Sequence, residues 1–103
     1  MSRGLGDVYK RQDDKLIAFG NIGKTGYLDR LYVHPDYLRK GIASKLVEEL
    51  EEYAKKHGSH VINVTSSITS KAFFESKGYA VIEEQINERR GERLLRYLME
   101  KKI

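Results

Sequence analysis

The stretch HPDYLRKGIASKL, residues 34–46, joins the end of a strand pattern to the start of an amphipathic helix. It places Arg39 and Lys40 where the helix begins, although helix starts favour Asp, Ser, Thr and acidic side chains. The first N–H groups of a helix have no intrahelical partners and, together with the helix dipole, attract anions. Gly41 and Ala43 carry nothing larger than a methyl group, so a phosphate could approach the backbone closely. The stretch therefore predicts a binding site for a di- or polyphosphate.

A simpler interpretation of the same residues stays open. Gly41 could merely turn the chain, with Arg39 and Lys40 as solvated surface charges. The spacing excludes two common phosphate-binding motifs, because neither G-x-x-x-x-G-K-[ST] nor G-x-G-x-x-G occurs in the sequence. Local sequence alone does not decide between an anion site and a turn.

Hydrophobic periodicity predicts a mixed α/β domain. KLIAFGNI and GYLDRLYVH have strand patterns and are joined around GKTG, and the second alternates so that Tyr27, Asp29, Leu31 and Val33 share one face. After Pro35, an apolar stripe at helical spacing continues until Gly58. HVINVTSS then has a strand pattern, and SITSKAFFESKG has a short helical one. Strand, helix, strand, helix predicts a crossover unit with parallel pairing.

The last two apolar segments, YAVIEEQI and ERLLRYLMEKK, are separated by the charged turn NERRG. They are most simply interpreted as an antiparallel hairpin. The second segment also fits a helix, because Leu94, Leu95, Leu98 and Met99 match a period of 3.6 residues.

Length and composition narrow the class of protein. The 103 residues suffice for one domain. The absence of cysteine excludes disulfides, thiolate metal sites and a cysteine nucleophile, and it fits a reducing compartment. The three histidines show no metal-ligand spacing, and no apolar run approaches the length of a membrane span. We expect a soluble, cytoplasmic protein without a bound metal or a membrane partner.

The charge distribution argues against a nucleic-acid partner. The net charge is +4, of which residues 1–12 contribute +2 through three basic residues and one acidic residue. The main helix carries four glutamates, Glu48, Glu49, Glu51 and Glu52, which phosphate would repel. The opening RGLGDVYKRQ lacks periodicity and looks like a translated sequencing adapter. We expect residues 1–12 to be a non-native or disordered leader and residues 13–103 to be the domain.

Two motifs resemble those of the GNAT superfamily of N-acyltransferases. LYVHPDYLRKGIASKLVEEL resembles the acyl-CoA-binding motif, in which L-x-V-x-P-x-Y runs into [QR]-x-x-G-x-[GA] and a helix. SSITSKAFFESKGYAVIEEQ resembles the second signature, N-x-x-A-x-x-x-Y-x-x-x-G-[FY]. The resemblance implies a GNAT fold over residues 13–103, a mixed sheet flanked by helices, lacking the first strand and two helices. It implies acetyl transfer from acetyl-CoA to a primary amine. The alternative is a non-catalytic CoA-binding fragment, and a homodimer is left open.

The resemblance also implies which residues touch the cofactor. The pyrophosphate would lie on Leu38, Arg39, Lys40, Gly41, Ile42, Ala43 and Ser44. The pantetheine arm would run beside Leu31, Tyr32 and Val33, and the thiol end would be flanked by Ser67, Lys71 and Phe74.

Three positions depart from the family pattern. Leu38 replaces Gln or Arg at little cost, since that contact is largely through backbone, and Ser67 replaces Asn. Phe74 stands where many members have the Tyr that protonates the leaving thiolate, and Phe has no proton to give. Asp29 is the candidate general base. Its alternative role is that of an ordinary polar residue paired with a neighbouring Arg or Lys.

Overall fold

The computed structural model describes residues 6–23, 25–38 and 41–103. This part of the chain forms one six-stranded mixed sheet and two α-helices, which confirms the α/β expectation. In chain order the elements are β1 (Gly6–Gln12), β2 (Lys15–Ile22), β3 (Tyr27–Val33), a 3-10 turn (Pro35–Tyr37), α1 (Ile42–Lys56), β4 (Val61–Ser67), α2 (Ile68–Ser76), β5 (Ala80–Arg89) and β6 (Glu92–Lys102). The strand order is β1-β2-β3-β4-β6-β5, and among these described strands only β3 and β4 run parallel. The hairpin interpretation of the last two segments is also confirmed.

Both helices pack on one face of the sheet. The stripe predicted for the main helix is buried there through Leu46, Val47, Leu50 and Ala54, and Phe74 of α2 joins the same core. The sheet side of this core comprises Ile17, Ala18, Ile22, Leu28, Ile62, Val64 and Met99. Removal of this apolar surface from water is the main stabilisation of the fold. None of the helices in the described ranges is long and apolar enough to cross a membrane.

The first strand corrects the expectation of a disordered leader. Gly6–Gln12 form β1, which pairs with β2 from Gly6 opposite Ile22 to Gln12 opposite Lys15. Val8 packs against the core, and Lys10 forms an ion pair with Glu49 of α1. The disorder expectation is therefore wrong for this segment, because the edge of β2 and the side of α1 supply partners that local sequence does not reveal. Residues 1–5 lie outside the described ranges, and the adapter-like origin of residues 1–12 stays a prediction.

A β-bulge in β3 overturns the predicted alternation. Asn21 pairs with Arg30 while Ile22 pairs with Leu28, so Asp29 is an extra residue. Leu28 is buried in the core, and Leu31, which alternation would place on the opposite face, packs against the same core. After the bulge, each side chain of β3 points to the face opposite to the one that simple alternation predicts. A pattern of strict alternation contains no information about such an extra residue.

Strands β3 and β4 pair only briefly before they separate. Their register contains two pairs, Tyr27 with Asn63 and Leu28 with Val64. Beyond these pairs, residues 29–33 of β3 and 65–67 of β4 do not pair with each other across the gap. We call this opening the strand cleft. On the β3 side of the strand cleft, the N–H and C=O groups that face β4 have no strand partner among the described residues. Because backbone polar groups need hydrogen-bond partners, a ligand in the cleft could pair with them.

A part-buried polar cluster joins α1 to β6 and to Tyr79, the residue before β5. The carboxylate of Glu51 accepts a hydrogen bond from the Tyr79 hydroxyl at 2.7 Å and one from Lys101 Nζ at 3.0 Å. Burial raises the pKa of the Tyr79 hydroxyl above its ordinary value, and the hydrogen bond to Glu51 and the charge of that carboxylate raise it further.

Candidate functional site

A cavity of about 460 Å³ lies where β3 ends and α1 begins. Its walls come from the end of β3, the 3-10 turn, the start of α1 and one side of α2. They comprise Val33, Tyr37, Leu38, Gly41, Ile42, Ala43, Ser44 and Phe73. Six of these eight residues belong to the set predicted from sequence, and they line one continuous space. Arg39 and Lys40, predicted for the same site, lie outside the described residues.

The start of α1 presents to this cavity backbone donors that have no acceptor among the described residues. Gly41 is the N-cap residue in the left-handed conformation, with φ of 74°, and no side chain caps the helix. The first intrahelical bond runs from Lys45 N–H to Gly41 C=O at 3.1 Å. The N–H groups of residues 42–44 therefore have no acceptor in the part of the chain that the structure describes. Free amides at the positive end of a helix dipole are the kind of group that attracts anions, which is the basis of the predicted anion site.

Gly41 is required for its backbone conformation rather than by crowding within the chain. A Cβ built at this position would meet no atom of the described residues within 4 Å. The φ angle of 74° is nevertheless unfavourable for residues with a side chain. The space beside Gly41 is therefore open on the side where the sequence predicts the anion site.

The turn before α1 is held by its own side chains. The His34 Nδ1 atom accepts a hydrogen bond from the Asp36 N–H at 3.1 Å, which caps the 3-10 turn. The His34 ring also packs edge-on against Tyr37, with 5.8 Å between centroids. His34 therefore positions Tyr37, which forms part of the cavity wall.

The predicted thiol-end residues are only partly brought together. Lys71 lies on the β6 side of α2, with Nζ 3.5 Å from Glu75 and 5.2 Å from the Tyr97 ring centroid. Phe74 is 4% exposed and belongs to the core. Phe73, one residue earlier, lines the cavity instead. Consecutive helical residues point about 100° apart, so a motif fixes a position along the helix without showing which neighbour faces the site.

Ser67, Leu31 and Tyr32 were also predicted to bind the cofactor, but their side chains make other contacts. The Ser67 side chain caps α2 in a reciprocal arrangement with Ser70. Leu31 packs against the core, and Tyr32 is 38% exposed on the opposite face of the sheet, beside Phe19. The side chains of Leu31 and Tyr32 do not line the cavity, but their backbone borders the strand cleft, where the resemblance implied a backbone contact.

Asp29 lies in the bulge, next to the point where β3 and β4 separate. It is exposed and forms no ion pair with any residue that the structure describes. The alternative role as one half of a surface ion pair is therefore not seen within those ranges.

Two cavity residues, Tyr37 and Phe73, were missed at the sequence level. The sequence contains only a weak indication that Phe73 lies at the site, because Phe73 is next to the motif position Phe74. Tyr37 belongs to the strand-end motif but carried no assigned role.

The start of α1, the cavity beside it and the strand cleft lie next to one another, and Val33 belongs to both the cavity wall and the cleft edge. The family model for the Acetyltransferase (GNAT) domain matches residues 8–101, and the chain belongs to this family.

Individual relatives agree with the family. The chain is 38% identical over 65 residues to YafP of Escherichia coli K12, described as an uncharacterized N-acetyltransferase, and the match covers 63% of this chain and 40% of that protein. A GCN5-related N-acetyltransferase from Rhodopseudomonas palustris superposes with a TM-score of 0.86 at 26% identity, covering 94% and 61% of the two chains. The Salmonella typhimurium protein yncA, solved with its cofactor acetyl-CoA, superposes with a TM-score of 0.79 at 20% identity, covering 95% and 65%. The chain thus spans about two fifths of the E. coli relative.

Proposed function

We propose that this chain binds acetyl-CoA and transfers the acetyl group to a primary amine. The observation that carries the proposal is the connection between the anion site at the start of α1 and the strand cleft. A ligand with a pyrophosphate and a long amide-bearing arm fits both at once. Membership of the GNAT family supports the same ligand. The absence of cysteine favours a cytoplasmic location as part of this proposal.

The residues present fit each part of CoA. The amides of residues 42–44 would hold the pyrophosphate, and Leu38 and Phe73 would provide apolar walls. Residues 30–33 pair with β2 on one side, and the edge of residues 29–33 that faces β4 has no partner strand among the described residues. At about 3.3 Å per residue, this edge spans roughly 13 Å. The pantetheine arm is of comparable length and carries amide groups that can pair with that edge.

Acetyl transfer requires an amine to attack the thioester carbonyl. An N–H of β3 in the strand cleft would stabilise the developing oxyanion. Asp29, exposed at the bulge, would accept the proton that the amine loses, directly or through one water. The β3 N–H and the Asp29 carboxylate would thus both lie at or beside the β-bulge, where β3 separates from β4.

A second function, CoA binding without catalysis, is favoured by one observation. Phe74 is buried in the core and has no proton to donate, so the position that usually protonates the thiolate is occupied by an inert side chain.

Two measurements separate these functions. Calorimetric titration with CoA measures binding, and thiol release from acetyl-CoA across a panel of primary amines measures transfer. Binding with amine-dependent thiol release supports the transferase, whereas binding without release supports the CoA-binding alternative. Failure to bind CoA would refute both.

A further inference from the structure

One hydroxyl pair bridges β3 and β4 at the apex of the strand cleft. The Tyr27 hydroxyl donates a hydrogen bond to Thr65 Oγ1 at 3.0 Å. Tyr27 belongs to one of the two residue pairs that join the strands, and Thr65 is the first β4 residue beyond the last pair. The bridge therefore lies where the strands begin to separate.

Both hydroxyls lie on the sheet face that the helices leave open. Val64 and Ser66 are buried on the helix side, so Thr65 between them points to the other side. Leu28 is buried likewise, which places the neighbouring Tyr27 on the open face. Tyr27 is 37% exposed, so its hydroxyl can exchange protons with solvent.

The direction of the hydrogen bond leaves one proton uncommitted. Because Thr65 accepts from Tyr27, the hydrogen of its own hydroxyl points elsewhere, and it has no acceptor within the described ranges. The next two hydroxyls along β4 are engaged. Ser66 Oγ donates to Met99 Sδ at 3.2 Å, and Ser67 forms the reciprocal cap with Ser70. Of these three β4 hydroxyls, that of Thr65 lies nearest the apex of the cleft. The Ser67 hydroxyl lies 3.2 Å from that of Ser70, and either of the two can donate.

We propose that Thr65 protonates the departing thiolate of CoA and that Tyr27 supplies the proton that Thr65 gives up. This inference rests on the proposed function and assigns the role that Phe74 cannot perform. The C–N bond to the amine forms, the C–S bond breaks, and its electron pair stays on sulfur. The Thr65 hydroxyl proton moves to sulfur while the Tyr27 hydroxyl proton moves to Thr65 in one relay. Solvent then reprotonates Tyr27, and the proton lost by the amine balances the proton gained by sulfur.

The length of the cleft places the sulfur within reach of this pair. The edge from residue 33 back to residue 29 spans roughly 13 Å, so an arm that enters the cleft at residue 33 and follows this edge ends near the apex. Thr65 would touch the substrate and is the catalytic residue of this proposal. Tyr27 acts through Thr65 and is a positioning residue.

The test measures the thiol pKa of bound CoA from thiolate absorbance, which requires no turnover. A hydroxyl that donates to sulfur stabilises the thiolate and lowers its pKa. Thr65→Val should raise the pKa of the bound thiol by about one unit, and Thr65→Ser should restore the wild-type value. Thr69→Val, an exposed change on α2, is the matched control and should leave it unchanged. Equal thiol pKa values in wild type and Thr65→Val, or no restoration by serine, would overturn the proposal.

Removal of the second hydroxyl tests the relay. Tyr27→Phe should raise the thiol pKa by less than Thr65→Val does, while Tyr9→Phe, a change at an exposed position of β1, should not move it. A Tyr27→Phe protein with an unshifted thiol pKa would remove Tyr27 from the proposal. Absence of CoA binding by wild type would instead refute the proposed function, and this inference with it. Binding with unshifted pKa values in both variants would refute the inference alone.

Discussion

Replacement of Gly41 by alanine tests whether the start of α1 holds a phosphate. The change adds one methyl group at a residue whose φ is 74°. Left-handed backbone costs a residue with a Cβ about 1–2 kcal/mol, and alanine recovers part of this by restricting the unfolded chain. We expect a loss of about 1 kcal/mol in the free energy of unfolding, which lowers Tm by roughly 4–8 °C in a domain of this size.

The effect on CoA should exceed the effect on folding. The added methyl group would project into space that holds no atom of the described residues within 4 Å and that we propose for the pyrophosphate. Loss of one charge-assisted hydrogen bond to a backbone N–H costs about 1.5–3 kcal/mol. CoA affinity should therefore fall about tenfold to a hundredfold, since each step of about 1.4 kcal/mol corresponds to a factor of ten.

Gly58 provides a matched control at the other end of α1. Its φ is 92°, and a Cβ there also meets no atom within 4 Å in the described part of the chain. The 15-residue helix separates the two glycines by roughly 22 Å. Urea unfolding and calorimetric titration with CoA should give Gly58→Ala a comparable stability loss and unchanged affinity. If both variants bound CoA equally well, the anion-site reasoning would be wrong.

Two further predictions concern stability. In wild type, the raised pKa keeps Tyr79 protonated in the folded state, while the same side chain ionises above 10.0 in the unfolded state. The free energy of unfolding of wild type should therefore fall by up to about 1.4 kcal/mol per pH unit above this value. Tyr79→Phe lacks this ionisation, so its stability should decline less steeply at alkaline pH. Urea unfolding from neutral to alkaline pH measures this, and equal slopes would contradict it. Deletion of residues 1–12 should cost at least about 2 kcal/mol, because it removes the β1 ladder, the packing of Val8 and the Lys10–Glu49 pair. A change within about 0.5 kcal/mol, the amount typical of peripheral changes, would show that β1 is dispensable.

Local patterns were sufficient for most of the elements and for part of the site. The stripe from Leu46 to Ala54 determined both the helix and its buried face, because helical spacing alone places those side chains together. The small residues at Gly41 and Ala43 after a strand end predicted the anion site, because the unpaired amides of a helix start are a local property. Six of the residues predicted for the cofactor line the observed cavity.

Other features depended on contacts between distant segments. The aperiodic opening became β1 because the edge of β2 and the side of α1 accept it. The bulge at Asp29 and the separation of β3 from β4 arise from sheet register, so alternation assigned opposite faces to Leu28 and Leu31, which share the core. Phe73 rather than Phe74 faces the cavity because the packing of α2 against β4 and β6 sets its rotation. The Tyr27–Thr65 bridge joins residues 38 positions apart. The sequence by itself predicted an anion site at the start of α1 without deciding between that site and a simple turn. Tertiary structure alone decided which side chains lie around the strand cleft, because strand register and helix rotation are set by long-range packing.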